Sequence, residues 1–236
     1  MKTHFNFLGW RTSEGFLAPA IRTPSKILLA GQSLSGKTTF LKQLLEIRPF
    51  ESKFLNKNIY YYFMENQKLM DEIKEQNPGI NLISGFPETF PSNEPEPTLI
   101  ILDDMMDQIG RQIITDLFIR ESHHRNITCI LVTQNLFYNH RSFRLLSLNA
   151  QFLCVFKNAR DQSQITSLSR QVYPLNPTFI QKVYWSVIED NAYSYIWLDL
   201  SQKTKDSLRI WSNILQPVPI VYPLNTHVNF QEKNVT

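Results

Sequence analysis

The residues from Gly31 to Thr38, Gly-Gln-Ser-Leu-Ser-Gly-Lys-Thr, have the spacing GxxxxGK[ST]. This pattern cradles phosphate: glycines let the loop curl around an anion, and successive backbone N–H groups and the following helix N-terminus point at it. Gly31, Gln32, Ser33, Leu34, Ser35, Gly36, Lys37, Thr38 and Thr39 are therefore the candidate nucleotide-binding residues, with Lys37 bridging the terminal phosphates and Thr38 holding Mg²⁺. Downstream, the apolar run Thr98–Leu102 ends in Asp103 and Asp104. Asp103 is the expected partner of Mg²⁺, orienting its waters, and Asp104 is the candidate base that polarises an attacking water. A solvated strand end explains such a pair taken alone, but its position after a phosphate loop favours the functional reading. A third apolar run ends at Gln134, whose amide is placed to sense a γ-phosphate or hold the same water.

These groups need elements to hold them. Lys26–Ala30 reads as a short buried strand ending at Gly31, and Gly36 to Ile47 as a helix with Phe40, Leu41, Leu44, Leu45 and Ile47 on one face, stopped by Pro49. Strands are expected over 58–63, 98–104, 127–133 and 151–156, and helices over 67–76, 108–122, 142–148, 162–171 and 178–187. The proline-rich stretch 85–97 reads as an exposed loop. Residues 193–200 and 207–211 read as an antiparallel hairpin at the sheet edge. The expected fold class is α/β, a mostly parallel sheet with helices on both faces and that C-terminal antiparallel edge hairpin, and the phosphate-loop segment in this setting resembles the P-loop NTPases of the RecA/ASCE type. The expected organisation is an N-terminal extension over 1–25, one ATPase domain over 26–216 and an irregular, proline-containing tail over 217–236.

Composition narrows the classes. At 236 residues, 42% hydrophobic and 19% charged, the chain can bury a sizeable core. No uncharged apolar run reaches the ~20 residues of a membrane span, and the N-terminus has no signal-peptide core, so a soluble, intracellular protein with no membrane partner is expected. The two cysteines, Cys129 and Cys154, lie in apolar runs without metal-ligand spacing, which excludes a disulfide framework. A formal net charge of +3 permits a nucleic-acid partner without arguing for one.

The segments GQSLSGKTT, TLIILDDMM and SHHRNITCILVTQNLF together resemble the FtsK-HerA superfamily of ring-forming DNA translocases. They look most like the genome-packaging ATPases of double-stranded DNA viruses and Polinton-type elements, the poxvirus-type packaging ATPases. The resemblance runs from about Lys26 to Arg170, and its most selective part is the arginine-containing segment before a strand ending in Thr-Gln. It implies an ATP-hydrolysing motor that uses ATP and Mg²⁺, acts as a homo-oligomeric ring around double-stranded DNA, and packages a genome, with a capsid portal vertex as partner and the virion assembly site of the host cell as location. It also implies an arginine finger given to a neighbour's nucleotide. Arg125 is the best match and Arg120 the second, while Arg141, Arg144 and Arg160 are reserves on chemistry alone. Asp104 departs from the pattern, since many members have Glu there.

His123 and His124 do not make a metal site, because adjacent helical residues point about 100° apart and no carboxylate or thiol completes a set. Lys53, Lys57, Lys68 and Lys74 read as solvated lysines rather than DNA contacts. The competing readings are a small-molecule P-loop kinase, disfavoured because Asp104 and Gln134 suit water better than an acceptor, and a nonenzymatic nucleotide switch.

Overall fold

The computed structural model describes residues 10–11, 17–18, 20–64, 68–91, 95–137, 141–189, 191 and 193–224. Nine strands form one sheet: β1 (Lys26–Ala30), β2 (Ile59–Phe63), β3 (Asn81–Ser84), β4 (Thr98–Asp103), β5 (Ile127–Thr133), β6 (Phe152–Phe156), β7 (Tyr195–Asp199), β8 (Ile210–Ser212) and β9 (Ile220–Tyr222). Their spatial order is β9-β8-β7-β6-β1-β5-β4-β2-β3. The six strands from β6 to β3 are parallel, and β7, β8 and β9 add on antiparallel. The central strands β1, β4, β5 and β6 are buried almost throughout, as near-continuous apolar runs require when both faces are covered.

Helices cover both faces. On one side lie α1 (Lys37–Ile47), burying Phe40, Leu41, Leu44 and Leu45, and α2 (Lys68–Gln76), burying Met70 and Ile73. On the other lie α3 (Gln112–Asp116, continued by a π-helical turn Leu117–Glu121 and by Ser122–His124), α4 (Arg141–Asn149), α5 (Ser163–Val172) and α6 (Phe179–Ile188). The α/β class expected from the sequence is the class observed. An antiparallel hairpin does form from β7 and β8, but it is not the edge. The segment after Pro217, expected to be irregular, supplies β9 outside β8, with Trp211 opposite Val221. A further strand absent from the sequence reading, β3, pairs with β2 at the opposite edge. The two-residue segments Trp10–Arg11 and Leu17–Ala18 pair separately.

Parallel strands carry their loops out at the same end of the sheet, and there β1, β4 and β5 deliver the segments singled out above. β5 lies between β1 and β4, so Gln134 emerges between the phosphate loop and the two aspartates.

Candidate active site

The loop from Gly31 to Gly36 is held by its own backbone. The Gly31 N–H donates to Thr133 O on β5 at 3.2 Å, and Ser35 N–H donates to Gln32 O at 3.2 Å. Gly31 must be glycine: a Cβ there would lie 2.6 Å from Phe156 Cβ and 2.7 Å from Ser35 Oγ. Gly36 has φ 97°, a left-handed conformation that side chains disfavour, and its Cβ would meet Tyr193 at 3.2 Å. α1 begins directly after it, with no side-chain cap and no acidic residue in the first turn. The unpaired N–H groups of that turn and the positive end of the helix dipole thus face the loop, which is where an anion is best bound. Phe40 fixes the first turn of α1 by packing edge-on against Phe156 and Tyr195.

Lys37 Nζ donates to Gly31 O at 2.6 Å and to Gln32 O at 2.9 Å. Burial lowers its pKa, while Asp103 and Asp104 act in the opposite direction. Asp103 is buried, and that burial raises its pKa. A hydrogen bond from Tyr61 and the charge of Lys37 oppose the rise, and Asp104 adds to it. Tyr61 Oη donates to Asp103 Oδ2 at 2.6 Å. The strand stops at Asp103 rather than at Asp104, because Asp104 takes φ 56° and turns the chain out of the sheet. Its exposed carboxylate accepts a long hydrogen bond from Gln134 Nε2, 3.4 Å.

One cleft of about 760 Å³ gathers most of these groups. From the loop and α1 come Ser33, Leu34, Gly36, Lys37, Thr38 and Thr39; from the strand ends come Asp103, Asp104 and Gln134. Gly31, Gln32 and Ser35 form the loop behind it without lining it. Lys68 and Glu72 of α2 and Tyr193 also line the cleft. The sequence reading missed Glu72 and Tyr193 and treated Lys68 as an ordinary solvated lysine, since no motif marks any of the three. Glu72 is tied to the phosphate-loop helix by an ion pair with Lys42 at 2.6 Å. A second cavity of about 860 Å³ shares Gly36, Thr39 and Tyr193 with the first and continues past Asn191, Asn213 and Gln216.

Among the described residues no arginine lines the cleft. Arg125 follows α3 and precedes β5, at the opposite end of the sheet. Its guanidinium donates to Glu121 and, at 2.8 Å, to Phe90 O. Arg120 pairs with Asp116 at 3.2 Å, Arg141 and Arg144 lie on α4, and Arg160 follows β6.

The groups facing the cleft fit a nucleotide and Mg²⁺: α1 opens on the loop with no side-chain cap and no acidic residue in its first turn, which leaves N–H donors for phosphate. The side chains offered to a cation, Thr38, Asp103 and Asp104, are hard oxygen donors of the kind Mg²⁺ takes beside substrate phosphates. No cluster of three His, Cys, Asp or Glu side chains among the described residues is arranged to hold a metal unaided. No helix among them is long and apolar enough to cross a membrane.

No known family model matches the chain, and no curated protein matches it. Among solved structures it is similar to the genome packaging NTPase B204 of Sulfolobus turreted icosahedral virus 2, solved in complex with ATP-gammaS. That likeness has 14% identity over 76% of this chain and 94% of that one, with a TM-score of 0.48. It is also similar to ATPases 2 and 3 of EssC from Geobacillus thermodenitrificans, at 10% identity over 84% of this chain and 39% of that one, with a TM-score of 0.44.

Proposed function

We propose that the protein is a Mg²⁺-dependent ATPase and that hydrolysis drives movement of double-stranded DNA through a homo-oligomeric ring, in the service of genome packaging. The observation that carries the ATPase reading is the meeting of Lys37, Thr38, Asp103, Asp104 and Gln134 around one cleft at the ends of three adjacent strands. The loop N–H groups and the first turn of α1 bind the phosphates, and Lys37 leaves its two carbonyl partners to neutralise their terminal charge. Thr38 and Asp103 hold Mg²⁺, which when bound supplies charge neutralisation at the transferring phosphoryl group. Asp104 takes the proton of the attacking water, and Gln134, already bonded to Asp104, orients that water. The second cavity, which adjoins the cleft beside Tyr193, offers space for the nucleoside. The motor half of the proposal rests on the sequence resemblance to DNA translocases, to which the Thr-Gln strand end contributes most.

The test is steady-state ATPase with and without long duplex DNA across salt concentrations. The expected result is turnover that rises with DNA and is lost in Lys37→Ala and Asp103→Ala. Equal rates with and without DNA would sink the motor reading while leaving the ATPase standing. Phosphoryl transfer to a small acceptor would favour the kinase instead.

A further inference from the structure

Asp103 meets the cleft from one side and the core from the other. On the α1 face of the sheet, Leu99, Ile101 and Asp103 of β4 alternate beside Ile59, Tyr61 and Phe63 of β2, with Tyr61 registered against Ile101. The Tyr61 side chain therefore runs diagonally along the neighbouring strand to Asp103, which is registered against Phe63. Its hydroxyl donates to Oδ2 at 2.6 Å, a charge-assisted length, and neither residue is more than 5% exposed. Tyr61 itself does not line the cleft. A hydroxyl so deep in an apolar layer costs free energy without a partner, and the ring alone would fill the space, as Phe63 does two residues on. The hydroxyl is therefore accounted for by what it holds.

We propose that Tyr61 is a positioning residue for Mg²⁺: by occupying Oδ2 from the core side, it fixes the rotamer of Asp103 so that the other carboxylate oxygen is the one turned to the metal or its waters. This rests on the reading of Asp103 as a Mg²⁺ partner. Tyr61 touches neither nucleotide nor metal, so its effect reaches the site through one carboxylate, as supporting hydrogen bonds do in metal centres.

The experiment measures binding of a fluorescent ATP analogue by full-length protein in Mg²⁺ and in EDTA, and the Mg²⁺ concentration giving half-maximal effect, for wild type, Tyr61→Phe and Asp103→Ala. Tyr61→Phe is expected to raise the Mg²⁺ midpoint about tenfold while leaving the affinity in EDTA within about twofold. 4-Fluorophenylalanine at position 61, which stands in the hydroxyl's place without a donor, is expected to raise the midpoint as Tyr61→Phe does. This second variant also decides the matter if Tyr61→Phe does not fold. An unchanged midpoint in Tyr61→Phe, even with a lowered melting temperature, would make the hydroxyl purely structural and overturn the proposal, as would an unchanged midpoint in the fluoro variant. If Asp103→Ala leaves the Mg²⁺ dependence untouched, the reading of Asp103 fails first and the role of Tyr61 falls with it. If neither wild type nor variants bind the analogue at all, the nucleotide site itself is refuted.

Discussion

The phosphate loop shows how little freedom a single position can have. At Gly31 an added methyl collides with the Phe156 Cβ, which is fixed in a buried strand, and with the orphaned Ser35 hydroxyl. Gly31→Ala must push the loop away from β6, and overpacking of this kind costs about 1–3 kcal/mol. A lowered thermal midpoint together with loss of nucleotide affinity is expected, measured by melting with and without Mg·ATP. Gln134 is the contrasting case. It is exposed, and its side chain reaches the carboxylate of Asp104 at 3.4 Å, so Gln134→Ala should leave the fold intact. If it orients the attacking water, turnover drops roughly a hundredfold while nucleotide affinity barely moves. Equal losses in affinity and turnover would instead make Gln134 a binding group.

At the scale of elements, burial of the central strands has a measurable chemical signature. Enclosure in β5 pushes the Cys129 thiol up to about 12, and enclosure in β6 holds the Cys154 thiol well above its ordinary range. Tyr62 and Tyr173 are likewise raised to about 12. Each is an acid that loses its proton less readily when folded. Their contribution is therefore complete below the unfolded values, 9.0 for a thiol and 10.0 for a phenol, and is lost as pH rises through the folded ones. Chemical denaturation midpoints should accordingly show no loss from these groups up to the thiol value and fall steadily above it. At mildly alkaline pH, a thiol reagent should label neither cysteine until denaturant is added. The same burial explains what could be read from the sequence. β1, β4 and β5 are apolar runs ending in chemically marked residues, so both the strands and the loop, Asp103, Asp104 and Gln134 were legible. β3 has no fully buried residue and only Leu82 and Ile83 as apolar members, and β9 is three residues long behind Pro217 and Pro219, so neither formed an apolar run long enough to mark a strand. The α3 region was expected from Gln108, but a 3₁₀ turn over Met106–Gln108 and Gly110 delay the helix to Gln112. Tyr61, Lys68 and Tyr193 reach the site from segments with no motif, by strand register and packing that no spacing rule encodes.

At the scale of the whole molecule, the placement of Arg125 limits how it could take part in hydrolysis. The cleft opens where the parallel strands end, whereas Arg125 sits where β5 begins. At ~3.3 Å per residue, the seven residues of β5 put it roughly 20 Å or more from Gln134. That exceeds any arginine side chain, so Arg125 has no route to the nucleotide of its own subunit. A role in catalysis requires a head-to-tail neighbour that turns this end of the sheet toward the cleft, the heterologous contact from which rings are closed. The guanidinium would then exchange Glu121, its half-exposed partner within the same helical turn, for phosphate oxygens. The consequence is specific to mixtures. Lys37→Ala and Arg125→Ala proteins should each be nearly inactive alone. In a random mixed ring, an active site forms wherever an Arg125→Ala subunit, with its own Lys37 intact, is followed by a Lys37→Ala subunit that donates Arg125, and with equal amounts of each about a quarter of sites meet that condition. Recovery toward that fraction, measured as ATPase after co-assembly and dependent on total protein concentration, is the expected result. Arg125→Ala rings with full activity, or inactive mixtures at every ratio, would remove Arg125 from the mechanism and leave Arg120, Arg141, Arg144 and Arg160 to be tested in the same way.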